Sequence, residues 1–253
     1  MSISKRAKKF LYNHLSFENY LRTLSRFYFF SYHMGFLKNN PNIQYPYFLK
    51  HVIKEGDVVI DIGANLGYYS RLMAKWVGKN GKIYAVEPVE PIRNVLSKNA
   101  KKFSCIEILP YALGVENRSI QLGNNSLHKN GYVASGSHFV MEQNNDAPDL
   151  TFNAEMRKGS ELFSHLERLD FIKCDVEGYE IYIILEIASI IEDHKPVILI
   201  ETSGENREKI IEFLQDMDYA PYVLKGQKLY PLQLADTDDI LFVHRDKRYD
   251  FLK

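Results

Sequence analysis

Apolar runs alternate with amphipathic segments along most of the chain after residue 57. The apolar runs, which are typical of buried strands, are Val58 to Ile62, Lys82 to Glu87, Cys105 to Tyr111, Leu169 to Asp175 and Val197 to Glu201. Segments with helical spacing separate them, at Tyr68 to Val77, Pro91 to Lys101, Tyr179 to Ile191 and Arg207 to Met217. Strands that alternate with helices predict an α/β fold with a mostly parallel sheet and right-handed crossovers.

The apolar pattern changes after Tyr219. Three short strands are predicted without helices between them, at Ala220 to Leu224, Leu229 to Leu232 and Ile240 to His244. Gly226-Gln227 and Asp236 to Asp239 join them, and such short polar joins are typical of hairpins. We therefore expect the sheet to end in antiparallel strands.

The first 54 residues differ from the rest of the chain. Residues 1–36 contain six lysines and arginines, ten phenylalanines and tyrosines, and Glu18 as their single acid. We predict a basic, aromatic, helical extension at 1–54 and a main domain at 55–253, with a break at Asn39 to Asn42 before a short helix around Tyr47 to Val52. The extension is expected to pack on the main domain or on a second subunit, which makes a homodimer possible. Docking on a membrane surface and covering of the active site remain open.

Composition limits the class of protein. A chain of 253 residues with 45% apolar content can bury one sizeable core. The net charge is zero, so nothing global attracts the chain to nucleic acid. Cys105 and Cys174 fall inside predicted strands, which favours reduced thiols and a cytoplasmic location. No apolar stretch approaches the length of a membrane-spanning helix.

Residues 123–159 are rich in Asn, Ser and Gly and show no sustained period. Only Gly131 to Val133 and Ser137 to Val140 interrupt this composition. A connection of this length inside a compact domain is usually functional or disordered. We expect it to form a lid that faces the substrate.

The most informative motif runs from Asp61 to Gly67, where a predicted strand turns into a helix. Its glycines allow a tight turn and close approach of a ligand to the backbone. A pyrophosphate-binding loop would read G-x-G-x-x-G without an acid, whereas here Asp61 occupies the strand tip and Asn65 replaces the second glycine. Because a carboxylate repels pyrophosphate, the motif favours a cationic nucleoside without phosphate. S-adenosylmethionine (SAM) is the commonest such cofactor.

Further acids follow the second and fourth predicted strands. Glu87 lies twenty residues after Gly67, where doubly wound folds place an acid for the ribose hydroxyls, and Pro88 favours an extended exit. Asp175 ends the fourth strand near the topological switch point. Glu177 and Glu180 follow it, and either could instead favour the first turn of a helix through the helix dipole.

Four segments together resemble the FkbM family of SAM-dependent methyltransferases over about Asp57 to Glu201. They are Asp61-Ile-Gly-Ala-Asn-Leu-Gly-Tyr-Tyr-Ser, Ala85-Val-Glu-Pro, Tyr111-Ala-Leu-Gly and Ile172-Lys-Cys-Asp-Val-Glu-Gly-Tyr-Glu. The resemblance implies a Rossmann-like class I methyltransferase fold, with a seven-stranded sheet whose last strand is antiparallel. It also implies O-methylation of hydroxyls on sugars, polyketides or related natural products. Cys174 departs from the family, which usually has an aliphatic residue there.

The resemblance also implies positions for the cofactor. Asp61, Gly63, Asn65 and Gly67 would contact its methionine part, Glu87 the ribose, Ala112 the adenine edge, and Asp175 the region near the transferred methyl group. Ala64, Tyr69, Pro88 and Tyr111 complete the expected cofactor-binding set.

Transfer to an alcohol calls for a general base. The candidates are Asp175, Glu177 and Glu201 at strand tips, with His138 or His128 on the lid. The three acids could instead share a divalent cation, but we expect no metal. The expected acceptor is a small molecule or saccharide, including glycolipids.

Two rivals stay open. An NAD-dependent oxidoreductase is favoured by Glu87 and disfavoured by Asp61 and Asn65. The other is a non-catalytic protein that docks partners or membranes through the extension.

Overall fold

The computed structural model describes residues 4–141, 147–233 and 239–247. Part of the predicted lid and most of the join at Asp236 to Asp239 lie outside the described residues. The helices are α1 (Lys5–His14), α2 (Phe17–His33), α3 (Tyr45–Phe48), α4 (Ser70–Val77), α5 (Glu90–Ala100), α6 (Ser126–Asn130), α7 (Gly159–Leu162), α8 (Glu180–Glu186), α9 (Ala188–His194) and α10 (Gly204–Asp216). The strands are β1 (Val58–Ile62), β2 (Lys82–Val86), β3 (Ile106–Leu109), β4 (Tyr111–Leu113), β5 (Arg118–Asn124), β6 (Phe139–Val140), β7 (Leu150–Arg157), β8 (Phe171–Cys174), β9 (Val197–Glu201), β10 (Tyr219–Lys225), β11 (Lys228–Pro231) and β12 (Asp239–His244).

The central sheet has the order β11-β10-β12-β9-β8-β1-β2-β3. The strands from β9 to β3 are parallel to one another, and β12 runs antiparallel to both of its neighbours. The predicted α/β class and the antiparallel last strand are therefore confirmed. The sheet has eight strands rather than seven, because β11 adds a hairpin partner at the edge of β10.

The hairpin predicted between β11 and β12 is wrong. Strand β12 instead inserts between β10 and β9. Ile240 to Val243 are almost fully buried, so this strand needs neighbours on both sides, whereas β11 is largely exposed and suits an edge.

The predicted strand Cys105 to Tyr111 is divided. Pro110 has no N–H to donate to a strand ladder, and after it the chain leaves the central sheet. Tyr111 begins β4, which belongs to a second sheet of order β4-β7-β5-β6.

The segment predicted as a lid contributes strands β6 and β7 and the end of β5 to this second sheet. Strand β7 alternates partly buried and exposed side chains along its length, and it pairs with all of β5. The described part of 123–159, which was expected to form a lid, therefore contains regular strands. The single helix predicted at Tyr179 to Ile191 is also wrong, since Ile187 separates α8 from α9.

The N-terminal extension packs on the main domain, as expected. Tyr20 and Leu21 of α2 are fully buried in a cluster with Ile92 of α5 and Leu122 of β5. The Tyr20 hydroxyl also donates a hydrogen bond to the Val133 carbonyl at 3.2 Å. The predicted short helix is α3 followed by a 3-10 turn at Leu49–His51. Among the described residues, no helix combines the length and apolarity needed to cross a membrane.

Candidate active site

Asp61 lies near the end of β1 and is fully buried. The Ser70 hydroxyl donates a hydrogen bond to its Oδ2 atom, whereas its Oδ1 atom has no hydrogen-bond partner among the described residues. Burial raises the pKa of Asp61, although the nearby Lys173 ammonium opposes the shift. A buried carboxylate oxygen without a donor is costly. Because Asp61 lines a cavity described below, a ligand bound there could supply the missing donor.

The turn after β1 requires glycine at Gly63. Its φ angle is +76°, and a Cβ atom there would lie 1.9 Å from the Asp175 carbonyl oxygen. The tips of β1 and β8 therefore touch through backbone atoms. Gly67 has a φ angle of +81° and faces Leu96 of α5, so it shapes the turn and lines neither of the two cavities described below.

Glu87 follows β2 and holds the neighbouring turns. Its two carboxylate oxygens accept the backbone N–H groups of Asn65 at 2.9 Å and Val89 at 2.8 Å. Burial raises the pKa of Glu87 to about 7, and these two hydrogen bonds limit the shift. Arg93 fixes the backbone beside it by donating to the Pro88 carbonyl at 2.7 Å.

Two adjoining cavities open at the strand tips, with volumes of about 290 Å³ and 460 Å³. The second volume lies within the range of ~300–1,000 Å³ that is usual for small-molecule sites, and the first lies just below it. Predicted residues in the wall of the first cavity are Gly63, Asn65, Glu87, Pro88, Tyr111, Ala112, His138, Asp175, Glu177 and Glu201. Predicted residues in the wall of the second cavity are Asp61, Gly63, Ala64, Asn65, Tyr69, Asp175 and Glu201. The structure thus brings the predicted cofactor and acid residues together.

The N-terminal extension supplies part of the second cavity. Tyr28 of α2, Gln44 and Tyr45 line it, opposite Asp175 and Glu201. Gln44 is fixed by a hydrogen bond from its side-chain amide to the Leu224 carbonyl at 2.6 Å. Covering of the active site was one of the three roles considered for the extension. In the structure, residues of the extension form part of the wall of the second cavity.

The acids predicted as catalytic lie close enough to influence one another. Asp175 accepts a hydrogen bond from Lys173 Nζ at 2.9 Å. Burial, the Asp175 and Asp239 charges and a hydrogen bond with Asp175 raise the pKa of Glu201 to about 8. Glu177 lies at the exposed mouth, where partial desolvation and the neighbouring charges of Asp175 and Glu180 raise its pKa to about 7.

Lys173 is a site residue that the sequence reasoning missed. It lies in β8, is 5% exposed, and its Nζ atom is 4.8 Å from the centre of the Tyr69 ring. Burial lowers the pKa of Lys173, but the carboxylates of Asp175 and Asp61 outweigh this and raise it overall. The available signal was a lysine inside an apolar strand, because such a buried charge requires partners.

The two lid histidines occupy different surroundings. His138 lines the first cavity, but its Nδ1 atom is 3.1 Å from the Ser135 carbonyl and its Nε2 atom is 3.2 Å from the Asn124 amide nitrogen. Burial lowers the pKa of His138 to about 4. Both nitrogens of this neutral ring are occupied. His128 is exposed on α6 and lines neither cavity.

Glu180 has a local role. It is 2% exposed and accepts the N–H groups of Val176 at 2.9 Å and Gly178 at 3.1 Å, which shapes the turn that carries Glu177. Among the described residues, no group of three or more His, Cys, Asp and Glu side chains is arranged to hold a metal ion.

Comparisons with known proteins add to this geometry. The methyltransferase FkbM of Methylobacillus flagellatus has the same fold, with a TM-score of 0.53 at 14% identity over 94% of this chain and 58% of that one. Protein-L-isoaspartate O-methyltransferase of Methanosarcina mazei is 39% identical over 81 residues, which are 32% of this chain and 29% of that protein. The enzyme of the same name from Methanococcus aeolicus is 26% identical over 110 residues, 44% of this chain and 46% of that protein.

These curated relatives are therefore matched over less than half of their length. The match to the methyltransferase FkbM domain is more extensive, since it spans residues 61–221 and contains the strand tips described above. The chain belongs to the FkbM family of SAM-dependent methyltransferases.

Proposed function

We propose that this protein transfers the methyl group of SAM to a hydroxyl oxygen of a saccharide, a glycolipid or a similarly hydroxylated natural product. The observation that carries the proposal is the buried Oδ1 atom of Asp61, which has no hydrogen-bond partner among the described residues. An ammonium group would supply the missing donor and the opposite charge.

The first cavity adjoins the second, where Asp61 lies, through the shared residues Gly63, Asn65 and Asp175, and its other residues fit the rest of the cofactor. Glu87 keeps acceptor capacity for ribose hydroxyls after binding two N–H groups, because each carboxylate oxygen has two lone pairs. Tyr111 and Ala112 offer a flat, apolar wall for a base. When bound, SAM supplies an electrophilic methyl group on a good leaving group. The protein has to position the acceptor oxygen and remove its proton.

Besides Asp61, the second cavity has walls that suit a polyhydroxylated acceptor. Tyr28 and Tyr45 provide aromatic faces, while Asp175, Glu201 and Asp239 provide oxygen atoms that accept hydrogen bonds from hydroxyl groups. A carboxylate acceptor, which the names of the isoaspartate methyltransferases suggest for those proteins, would meet like charge here. The Lys173 ammonium group would compensate this repulsion only weakly, because it already donates a hydrogen bond to Asp175.

Proton removal is assigned to Glu201, acting beside Asp175. With a pKa of about 8, Glu201 holds a proton near neutral pH and is hydrogen-bonded to Asp175. Once ionised, it is a stronger base than an ordinary carboxylate. His138 is assigned a positioning role, since both of its ring nitrogens are occupied. The predicted cytoplasmic location and homodimer stay predictions.

Binding calorimetry tests the cofactor part of the proposal. S-adenosylhomocysteine, which keeps the ammonium group, should bind the wild type, and NAD should not. Asp61→Asn removes the charge at nearly constant shape, so affinity should fall by about 10- to 100-fold, as for loss of a hydrogen bond to a charged group. Asp193→Asn, at an exposed position on α9, is the matched control. Equal affinity of Asp61→Asn and wild type would contradict the assignment of Asp61.

The acceptor part needs a separate assay. Transfer of a radiolabelled methyl group is measured over a panel of sugar nucleotides, glycosylated lipids and isoaspartyl peptides. We expect incorporation into hydroxyl groups that survives EDTA and is lost in Glu201→Gln. Incorporation into the isoaspartyl peptides alone would overturn the acceptor class.

A further inference from the structure

Three basic side chains meet between α2 and α4. Arg71 and Lys75 lie one helical turn apart on α4, so their side chains project from the same face of that helix. The Lys75 Nζ atom lies 3.2 Å from Nε2 of His33, the last residue of α2. We call Arg71, Lys75 and His33 the basic cluster.

The packing of the two helices brings the basic cluster together. Met73 anchors α4 in the core, and Phe29 does the same for α2, since both side chains are buried. The guanidinium carbon of Arg71 lies 4.3 Å from the centre of the Phe29 ring, above its face. Core packing therefore fixes where these charges lie.

The described residues supply no acid to the basic cluster. Their ion pairs all involve other basic side chains than these three. The Nε atom of Arg71 is buried and has no hydrogen-bond partner among the described residues. Because an arginine stays ionised at any ordinary pH, both its charge and this N–H group lack a protein partner.

The members of the basic cluster also oppose one another electrostatically. Partial burial lowers the pKa of Arg71, and burial together with the Arg71 charge lowers the pKa of Lys75. Loss of solvent, then the charges of Lys75 and Arg71, lower the pKa of His33, so its ring is mostly neutral at pH 7. An anion bound among the three side chains would reverse these effects.

We propose that the basic cluster is a binding site for a phosphate group. The arginine provides a planar fork of donors that matches phosphate oxygens, and the lysine adds a compact positive charge. A phosphate group carries close to two negative charges at neutral pH, which suits two fixed positive charges better than the single charge of a carboxylate does. His33 can take up a proton and add a third positive charge.

The Phe29 ring links the basic cluster to the second cavity. Its centre lies 6.0 Å from the centre of the Tyr68 ring, and Tyr68 lines that cavity. The phosphate group has two sources, a phosphorylated saccharide or the free ion. The first source, taken as the methyl acceptor, rests on the proposed function, whereas phosphate binding itself does not.

NMR of the His33 ring tests the proposal directly. The full chain is titrated with inorganic phosphate, and chloride at the same ionic strength is the reference for screening. We expect a saturable change in the His33 signals with phosphate alone, and a higher pKa of His33 in the bound state. His33→Gln identifies these signals among those of the eight histidines. Equal responses to phosphate and chloride, or no response to phosphate, overturn the proposal.

Lys75→Gln and Arg71→Gln remove the two fixed charges. Each substitution deletes a hydrogen bond between charged groups, so phosphate affinity should fall about tenfold or more. Without phosphate, each should also raise the pKa of His33, because both charges lower it in the wild type. Lys75 is exposed, so Lys75→Gln should keep the thermal midpoint even if the half-buried Arg71 cannot be replaced.

Lys82→Gln is the matched control. It removes one positive charge from a lysine that already pairs with Glu107 at 2.7 Å, so phosphate affinity should stay at the wild-type value. Wild-type affinity in Lys75→Gln, or an equal loss in Lys82→Gln, would show that the basic cluster is not the site.

A second ligand distinguishes the two sources of the phosphate group. Tighter binding of glucose 1-phosphate than of inorganic phosphate supports the site with a sugar phosphate as its ligand, and equal binding supports it with the free ion. S-adenosylhomocysteine affinity should not change in the cluster variants. Phosphate binding by a wild type that binds no S-adenosylhomocysteine would sustain the basic cluster and refute the proposed function instead.

Discussion

Asp61 and Glu87 are both buried carboxylates at strand tips, but they differ in how far the protein satisfies them. Both oxygens of Glu87 accept backbone N–H groups, so Glu87 holds the turns around it as well as facing the cavity. One oxygen of Asp61 has no donor among the described residues. Substitution of Glu87 would disturb the turns and ligand binding together. Asp61 is therefore the better position at which to isolate cofactor recognition.

Gly63→Ala should be strongly destabilising. The left-handed φ angle costs any other residue about 1–2 kcal/mol. The added Cβ atom would also collide with the Asp175 carbonyl oxygen, which is part of the backbone and can move only if β1 and β8 separate. We expect a loss of more than about 3 kcal/mol in the free energy of unfolding, measured by urea denaturation.

Gly226→Ala provides the comparison for this prediction. Gly226 also has a positive φ angle, of +68°, but nothing lies within 4 Å of the position of a Cβ atom there. The Gly226→Ala variant should therefore lose only about 1–2 kcal/mol in the free energy of unfolding, which is the cost of the left-handed backbone conformation. Similar losses in the two variants would show that the contact between the tips of β1 and β8 is not tight.

The pH dependence of turnover should identify the base. A general base acts in its ionised form, and burial, then the charges of Asp175 and Asp239, raise the pKa of Glu201 to about 8. The value of kcat/KM should therefore rise with pH through about 8 and level off above it. Asp175→Asn removes one like charge, so this rise should move to lower pH while turnover falls more than cofactor affinity.

Glu201→Gln is the reference for the pH profile, and it should abolish the rise. If a rise persists in that variant, another group is the base. A rise through about pH 7 would identify Glu177, whose pKa is raised to about 7.

Secondary-structure elements could be predicted from the sequence where burial of both faces requires a continuous apolar run. Strands β1 and β9 are predicted with their observed ends because both are continuous apolar runs buried on both faces. Their tips, and with them Asp61 and Glu201, follow directly. Parallel strands place their carboxyl ends at one edge of a sheet, which is why the acids could be grouped from the order of the strands along the chain.

The second sheet could not be predicted from composition in the same way. Strands β5 and β7 bury only one face, so about half of their residues are polar and the segment reads as a polar loop by composition. The alternation of apolar and polar residues from Leu150 to Arg157 was the available signal for β7. The cavity walls from Tyr28 and Tyr45 depend on long-range packing that no local spacing encodes. Lys173 was missed because its partners, Asp61 and Asp175, lie on two different strand tips.

Asn124 connects the second sheet to the first cavity. It is fully buried at the end of β5, and its side-chain amide donates to the Ala134 carbonyl at 3.0 Å and contacts His138 Nε2 at 3.2 Å. The loop it holds includes Gly136, which faces the Asn65 side chain. Asn124→Ala should release this loop, weaken S-adenosylhomocysteine binding by about tenfold, and destabilise the protein by about 1–3 kcal/mol.

Ser119→Ala on the same strand is the control for Asn124→Ala. It removes an exposed hydrogen bond from the Ser119 hydroxyl to Glu155, and both calorimetry and denaturation should give nearly wild-type values. Faster hydrogen exchange at residues 134–138 in Asn124→Ala alone would locate the change. Unaltered exchange there would mean that Asn124 does not hold the loop.

The extension and the methyltransferase fold share one core, although they were predicted as separate units. Leu21 of α2 is fully buried with Val95 of α5 and Met156 of β7. The same helix contributes Tyr28 to the second cavity. A segment that provides both core and cavity wall should not unfold independently, because its loss would expose apolar surface on the main domain.

Leu21→Ala tests whether the chain unfolds as one unit. Removing a fully buried leucine side chain should cost about 2–5 kcal/mol. The single tryptophan, Trp76, lies on α4 in a different hydrophobic cluster from Leu21, so its fluorescence reports unfolding away from the substituted helix. We expect Leu21→Ala to lower the denaturation midpoint seen by Trp76 and by circular dichroism equally. Leu15→Ala, at a position that is 37% exposed, should change both by little. If the transition seen by Trp76 fluorescence kept its wild-type midpoint in Leu21→Ala, α2 would unfold independently. The part of the second cavity's wall that Tyr28 provides would then be mobile.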